Sequence, residues 1–99
     1  MRESSIEYIF NKCIKDQGGL SVKFTSPGMS GVPDRIVLMP GGRIVFAEIK
    51  APGKKLRPLQ LHRKEQLEEI GFKVYVIDSK AAIDDFIERE VMSYEVHST

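Results

Sequence analysis

Residues 31–50 read GVPDRIVLMPGGRIVFAEIK and contain the pattern that decides the fold. Two apolar, β-branched runs flank Pro40-Gly41-Gly42, which predicts a β-hairpin. Runs that are apolar on both faces are typical of buried central strands. Three charged residues nevertheless belong to this hairpin, namely Asp34, Glu48 and Lys50. Because a buried, unpaired charge is costly, we expect these groups to be paired with one another, bound to a cation, or exposed.

Strand geometry predicts that these three charges converge. Side chains alternate along a strand, so Glu48 and Lys50 point the same way, roughly 7 Å apart. Asp34 opens the first strand and Lys50 closes the second, which places both at the same end of an antiparallel hairpin. Two carboxylates and an ammonium there suit a hard divalent cation and a phosphate, since Mg²⁺ is often held by one or two carboxylates. The alternative is that Asp34 is an ordinary turn residue and Glu48–Lys50 is a salt bridge.

The order of these residues resembles a known nuclease signature. Pro33-Asp34, followed after a hairpin by Glu48-Ile49-Lys50, resembles the active-site motif of the PD-(D/E)xK nuclease superfamily. The longer string Gly-Val-Pro-Asp, together with Gln60 at a helix start, resembles the VRR-NUC family (virus-type replication-repair nuclease) within it. The resemblance spans residues 7 to about 86. It implies a restriction-endonuclease-like core and Mg²⁺- or Mn²⁺-dependent hydrolysis of phosphodiester bonds.

The resemblance also implies roles for the hairpin residues. Asp34 and Glu48 are expected to hold the metal, with the Ile49 carbonyl as a third ligand. Lys50 is expected to orient or deprotonate the attacking water and to offset charge in the transition state.

Two further polar residues are implied by the same resemblance. Glu7 matches a metal-site acid on the first helix, and Gln60 matches an active-site glutamine that positions water or phosphate. Each has a simpler reading. Ser4 and Glu7 form a capping-box pattern that explains Glu7 fully, and Gln60 could be an ordinary surface residue.

A basic stretch follows the Glu-Ile-Lys motif. Residues 50–64 contain no acid, whereas residues 65–90 are rich in acids. A cluster of basic residues is the usual footprint of a phosphate backbone, although it also suits a solvated surface. The candidate DNA-binding residues are Lys54, Lys55, Arg57, Arg63 and Lys64.

The periodicity of the chain predicts the element order α-β-β-β-α-β-α, an α/β fold with a mixed central sheet flanked by helices. Ser4 is predicted to cap the first helix, the second helix is predicted to begin near Pro58, and Ser79 is predicted to cap the last. The apolar-leaning side of the second helix is predicted to contain Leu59, Gln66, Leu67 and Ile70. The chain is expected to be a single domain, residues 1–99, with a frayed tail from about residue 92.

Composition narrows the class of protein. The 99 residues bury a modest core, so a homodimer would add stability. The single cysteine, Cys13, excludes an intramolecular disulfide. No apolar run is long enough to cross a membrane and no signal peptide is visible, which predicts a cytoplasmic protein.

The leading hypothesis is a metal-dependent DNA endonuclease. Small stand-alone proteins of the resembled family look like homodimers that cut branched DNA, including four-way junctions, and two equivalent sites can cut two strands. One alternative is a DNA-binding module without catalytic activity. Another is a nuclease of different specificity, such as a flap nuclease, an exonuclease or a restriction enzyme. The lack of a separate sequence-reading domain argues against restriction.

Overall fold

The computed structural model describes residues 1–92. Its elements follow the predicted order, and a single π-helical turn, Glu88–Met92, continues the last helix. The predicted tail lies almost entirely outside the described residues. The elements are α1 Glu3–Asp16, β1 Leu20–Lys23, β2 Arg35–Met39, β3 Arg43–Ile49, α2 Pro58–Glu69, β4 Val74–Ile77 and α3 Lys80–Ile87.

The four strands form one mixed sheet in the order β1-β2-β3-β4. The β1–β2 and β2–β3 pairs are antiparallel, and α2 connects β3 to a parallel β4. The central hairpin is confirmed, with Met39 paired to Arg43 across the Pro-Gly-Gly turn. Gly41 and Gly42 both have positive φ there, 85° and 75°, a conformation that glycine adopts without steric cost.

One face of the sheet is closed by α1 and α3. The buried face of α1 consists of Ile6, Phe10 and Ile14, which are four residues apart and so share one side of the helix. Phe10 meets Phe86 of α3 edge-to-face, with ring centroids 5.2 Å apart. Burying side chains of this size stabilises the fold by roughly 1.5–3 kcal/mol each. The strand residues beneath these helices are Val37, Met39, Val45, Ala47, Ile49 and Ile77.

The opposite face is only partly covered. Phe46 lies between Phe24 and Phe72, with centroids 5.8 and 5.4 Å away. Beyond this aromatic group a row of three paired residues crosses β1, β2 and β3 with exposed side chains. These are Leu20, Leu38 and Ile44, which are 57%, 37% and 45% exposed.

The first helix begins earlier than the sequence predicts. Its first residue is Glu3 and its N-cap is Arg2, which makes no side-chain cap bond. Ser4 is therefore inside the helix, and the predicted capping box is wrong. An acid in the first turn is favourable at the positive end of the helix dipole, which explains a helix that extends to Glu3.

The predicted apolar side of α2 is also wrong. Leu59, Gln66 and Ile70 are exposed, Leu67 is half-buried, and the buried residue of the helix is Gln60. The helix lies over an incompletely covered sheet face, so its apolar residues have little to pack against. The start at Pro58 is confirmed, as is the Ser79 cap, whose hydroxyl accepts the Ala82 amide at 3.1 Å.

A buried carboxylate fastens the π-helical turn to the sheet. Glu90 is 2% exposed and accepts bonds from Arg43 Nη1 at 2.9 Å, from Lys73 Nζ at 3.0 Å, and from the Tyr75 hydroxyl. Burial, followed by this bond to Glu90, raises the pKa of Tyr75. Removing one partner of a buried ion pair typically costs about 3–5 kcal/mol, so this cluster anchors the described end of the chain.

Within residues 1–92, no helix combines the length and apolar character needed to span a membrane.

Candidate active site

Asp34 is fixed to the end of β3. It directly precedes β2, and its Oδ2 accepts the backbone amide of Ile49 at 2.7 Å. The approach to Asp34 is tight, because a Cβ on Gly31 would lie 2.7 Å from the Leu59 carbonyl oxygen, and Gly31 has φ +80°. Only glycine fits this position without displacing the start of α2. The hairpin therefore presents the Asp34 carboxylate at the end where β3 finishes.

Glu48 lies beside it on β3. Its side chain is 2% exposed and faces α2, and the Gln60 amide nitrogen approaches its Oε1 at 3.4 Å. The Gln60 side-chain oxygen accepts the backbone amide of Arg57 at 2.9 Å. Gln60 thus lies between the helix start and the carboxylate of Glu48. The structure brings these two predicted residues together.

The Asp34 carboxylate lies close enough to Glu48 to perturb it. Burial and, after it, the neighbouring Asp34 carboxylate raise the pKa of Glu48 to about 8, although Lys50 and Arg57 oppose the shift. Asp34 and Glu48 therefore form a site with an excess of negative charge and little water. Such a pair is favourable only with a proton or a cation between its members.

An open cleft of about 460 Å³ leads to this end of the sheet. It joins the hairpin residues to the basic loop that follows β3 and to the start of α2. The predicted site residues in its lining are Asp34, Ile49, Lys50, Lys54, Lys55, Arg57 and Gln60. The cleft thus brings Asp34, the neighbour of the buried Glu48, together with several basic residues, an arrangement suited to a phosphate ester and a cation.

Comparisons with known proteins agree with this geometry, although no family model matches the chain. A protein of Acyrthosiphon pisum secondary endosymbiont phage 1, named "Putative nuclease p44", is 46% identical over 80 residues, or 81% of this chain and 86% of the phage protein. A solved structure titled "VRR_NUC domain" has a TM-score of 0.84 and 32% identity, covering 89% of this chain and 96% of that one. The chain belongs to the VRR-NUC family.

In this VRR-NUC protein, Glu7 is held away from the carboxylate pair. Its Oε2 accepts Arg35 Nε at 3.1 Å, an ion pair between α1 and the start of β2. Within residues 1–92, no three His, Cys, Asp or Glu side chains converge as a metal-binding group. Glu7 therefore does not join Asp34 and Glu48 as a third carboxylate, and its catalytic role stays a prediction.

Glu3 is the acid of α1 that lines the cleft. It is not among the site residues predicted from the sequence. Residues four apart share one face of a helix, so Glu3 lies one turn before Glu7 on the same face. That spacing was the available signal, but the predicted start at Ser4 placed Glu3 outside the helix.

Some of the predicted DNA-binding residues line the cleft, and others make contacts elsewhere. Arg63 donates from Nε to the Ser30 carbonyl at 3.1 Å, and Lys64 pairs with Glu68 at 3.0 Å. Neither residue lines the cleft. In this VRR-NUC protein Arg63 holds the loop that precedes Gly31, whereas the basic residues of the loop after β3 surround the site.

Proposed function

We propose that this chain is a metal-dependent endonuclease that hydrolyses phosphodiester bonds in DNA. The observation that carries the proposal is the buried Glu48 carboxylate beside Asp34 at the foot of a basic cleft. The name of the phage relative and the VRR-NUC structure support the same class of activity.

The chemistry of the donor set fits a divalent cation. Glu48 is a buried carboxylate with a raised pKa and one long amide contact, and Asp34 has a second oxygen beyond the one that is bonded to Ile49. Asp34, Glu48 and the Ile49 carbonyl would hold Mg²⁺ or Mn²⁺, both of which prefer oxygen ligands. When bound, the cation supplies Lewis-acid polarisation of the phosphate.

The remaining chemistry belongs to side chains of the chain. Lys50 lines the cleft and can orient or deprotonate the attacking water, and its ammonium offsets the charge that develops on the phosphate. Gln60 orients Glu48 through its amide and can position water or phosphate. Glu7 would act on the site from α1, with Arg35 fixing its carboxylate.

The substrate we propose is branched DNA, such as a four-way junction, cut by a homodimer in the cytoplasm. Lys54, Lys55 and Arg57 line the cleft, and in this proposal they would contact phosphates on either side of the scissile bond. A two-fold dimer suits a symmetric junction, because two equivalent sites can cut two strands. Arg63 and Lys64 would contact DNA only after leaving their present partners.

The test is incubation of the protein with labelled duplex, flap and four-way-junction DNA, in Mg²⁺, in Mn²⁺ and in EDTA. We expect cleavage only with metal, fastest on the junction. Binding in EDTA without cleavage under any condition would instead identify a DNA-binding module. Equal rates on all three substrates would remove the proposed preference and leave the nuclease.

A further inference from the structure

One side of α2 contacts both segments that bring the two carboxylates to the site. Gln60 and Arg63 lie three positions apart, so they share that side of the helix. The Gln60 amide approaches the Glu48 carboxylate of β3 at 3.4 Å. Arg63 donates from Nε to the Ser30 carbonyl at 3.1 Å. A single turn of α2 therefore contacts both the central hairpin and the loop that leads to Asp34.

The position of α2 depends on such specific contacts, because the helix buries little apolar surface. Within residues 1–92, the buried residue of α2 is Gln60, and Leu61 and Ile70 are 46% and 72% exposed. The loop approaches α2 again at Gly31, where a Cβ would lie 2.7 Å from the Leu59 carbonyl oxygen. The loop thus contacts the helix at two successive residues, and Arg63 supplies the hydrogen bond of that contact.

The guanidinium of Arg63 is held in a fixed orientation. Its Nη1 donates to the Gln66 side-chain oxygen at 2.5 Å, on the following turn of α2. Arg63 lines a pocket of about 350 Å³ with Met29 and Leu67, and it does not line the cleft. A planar guanidinium can hold a carbonyl and an amide in two set directions at once, which the ammonium of a lysine cannot do.

We propose that Arg63 is a positioning residue of the nuclease, which ties α2 to the loop before Asp34 and so keeps Gln60 and Asp34 in register. Asp34 follows Ser30 by four residues, and the intervening Pro33 is fully buried with a φ that its ring restricts. A displacement at Ser30 is therefore passed on to Asp34. The inference rests on the proposed function, because it gives Arg63 an effect on cleavage through other residues and not through DNA.

Replacing Arg63 separates positioning from DNA contact. Arg63→Met removes the donors and keeps an unbranched side chain. We expect the single-turnover cleavage rate at saturating DNA and Mg²⁺ to fall about tenfold, since a misplacement of 1 Å can cost about 10²-fold. The Kd for DNA in EDTA and its salt dependence should stay close to wild type. Arg63→Lys keeps the charge without the two fixed directions, so its cleavage rate should also be low.

Arg89→Met is the matched control. It makes the same substitution and breaks a bond to Asp85, 2.9 Å long, within the last helical segment, and Arg89 does not line the cleft. Its cleavage rate should equal that of the wild type. Gln66→Met should cause part of the Arg63→Met loss, and the double variant should be no slower than Arg63→Met, because both changes remove one tether.

Three results would overturn the inference. A wild-type rate in Arg63→Met would show that the tether does not serve cleavage. A wild-type rate in Arg63→Lys would show that positive charge is sufficient. A weaker Kd with a reduced salt slope in Arg63→Met would make Arg63 a phosphate contact.

Hydrogen exchange gives a measurement that needs neither metal nor DNA. The Ile49 amide bonds to the Asp34 carboxylate at 2.7 Å, and the Phe24 amide bonds to the Asp34 carbonyl at 2.8 Å. Both amides should exchange faster in Arg63→Met than in Arg89→Met, because the loop that carries Asp34 opens more readily. Unchanged exchange would overturn the inference. An inactive wild type would instead refute the proposed nuclease, and the exchange rates would still decide whether Arg63 positions Asp34.

Discussion

The two faces of the central hairpin differ sharply although alternate residues of the same two strands form them. On the face covered by α1 and α3, Val37 and Ala47 are fully buried. One residue further along each strand the side chain points the other way, and Leu38 is exposed while Glu48 is buried beside Gln60. The closed face therefore contributes most of the stability, and the partly open face holds the charged site. We expect substitutions on the two faces to separate stability from activity.

The largest loss of activity should follow from substitution of either carboxylate, Asp34 or Glu48. Asp34→Ala and Glu48→Ala should each abolish metal-dependent cleavage, because each removes a proposed metal ligand. We expect losses of at least about 10²–10³-fold in turnover, typical for groups that stabilise charge in a transition state. Cleavage rate and melting temperature should be measured together. Full activity in either variant would exclude this site.

On the closed face we expect the opposite result, a loss of stability and not of a catalytic group. Phe86→Ala should cost about 3–5 kcal/mol of folding free energy, because Phe86 is fully buried against Phe10 and Tyr75. Leu38→Ala on the open face should cost less than about 1 kcal/mol, since surface substitutions usually have small effects. Urea unfolding of the two variants measures the difference. Equal losses would mean that the open face is covered in solution.

The raised pKa of Glu48 predicts a pH dependence of stability in EDTA. The folded protein holds this proton up to about pH 8, against 4.5 for an ordinary glutamate. A group whose folded pKa is raised contributes stability that is complete below pH 4.5 and is lost as the pH rises through 8. The wild type should therefore lose melting temperature over that interval relative to Glu48→Gln. Parallel curves for the two proteins would contradict the buried, protonated carboxylate.

The basic residues that line the cleft should govern the affinity for DNA. Changing Lys54, Lys55 and Arg57 together to Gln should weaken binding and reduce the slope of log K against log salt by up to about 3, as fewer counterions are released. The matched control changes Arg63 and Lys64, which lie outside the cleft. We expect a smaller change in that slope for the control. An unchanged slope in the triple variant would place the DNA elsewhere.

The smallest effect is expected from substitution of the two acids of α1, Glu3 and Glu7. Glu7→Gln keeps an acceptor for Arg35 and should leave the melting temperature nearly unchanged. If Glu7 acts on the metal site, turnover at limiting Mg²⁺ should fall. Glu3→Gln is the paired variant, because Glu3 lines the cleft. Wild-type turnover in Glu7→Gln combined with a loss in Glu3→Gln would transfer the role to Glu3.

The parts of the fold that the sequence predicts correctly are those set by local patterns. The two apolar, β-branched runs and the Pro-Gly-Gly break define the hairpin, and the buried stripe of α1 follows from its helical spacing. The positions of Asp34 and Glu48 follow from the hairpin alone, because both lie at its open end.

The parts that escape prediction depend on contacts between distant residues. Arg63 reaches the Ser30 carbonyl, 33 residues earlier, and Glu90 meets Arg43 across 47 residues. No periodic pattern encodes either contact. The early start of α1 was missed for a different reason: Ser4-x-x-Glu7 suits a capping box, but the Glu7 carboxylate bonds to Arg35 instead.

The bond from the Ile49 amide to Asp34 has a consequence for the order of folding. It joins residues only 15 apart, both within the hairpin, whereas Gln60 and Glu7 must arrive from other segments. Loops of short sequence separation close at lower entropic cost, so contacts of low contact order form first. The nascent chain can thus bring Asp34 and Ile49 together before α2 docks, and the docking of α2 then encloses Glu48. The two proposed ligands Asp34 and Ile49 would therefore meet before the cleft around them is complete.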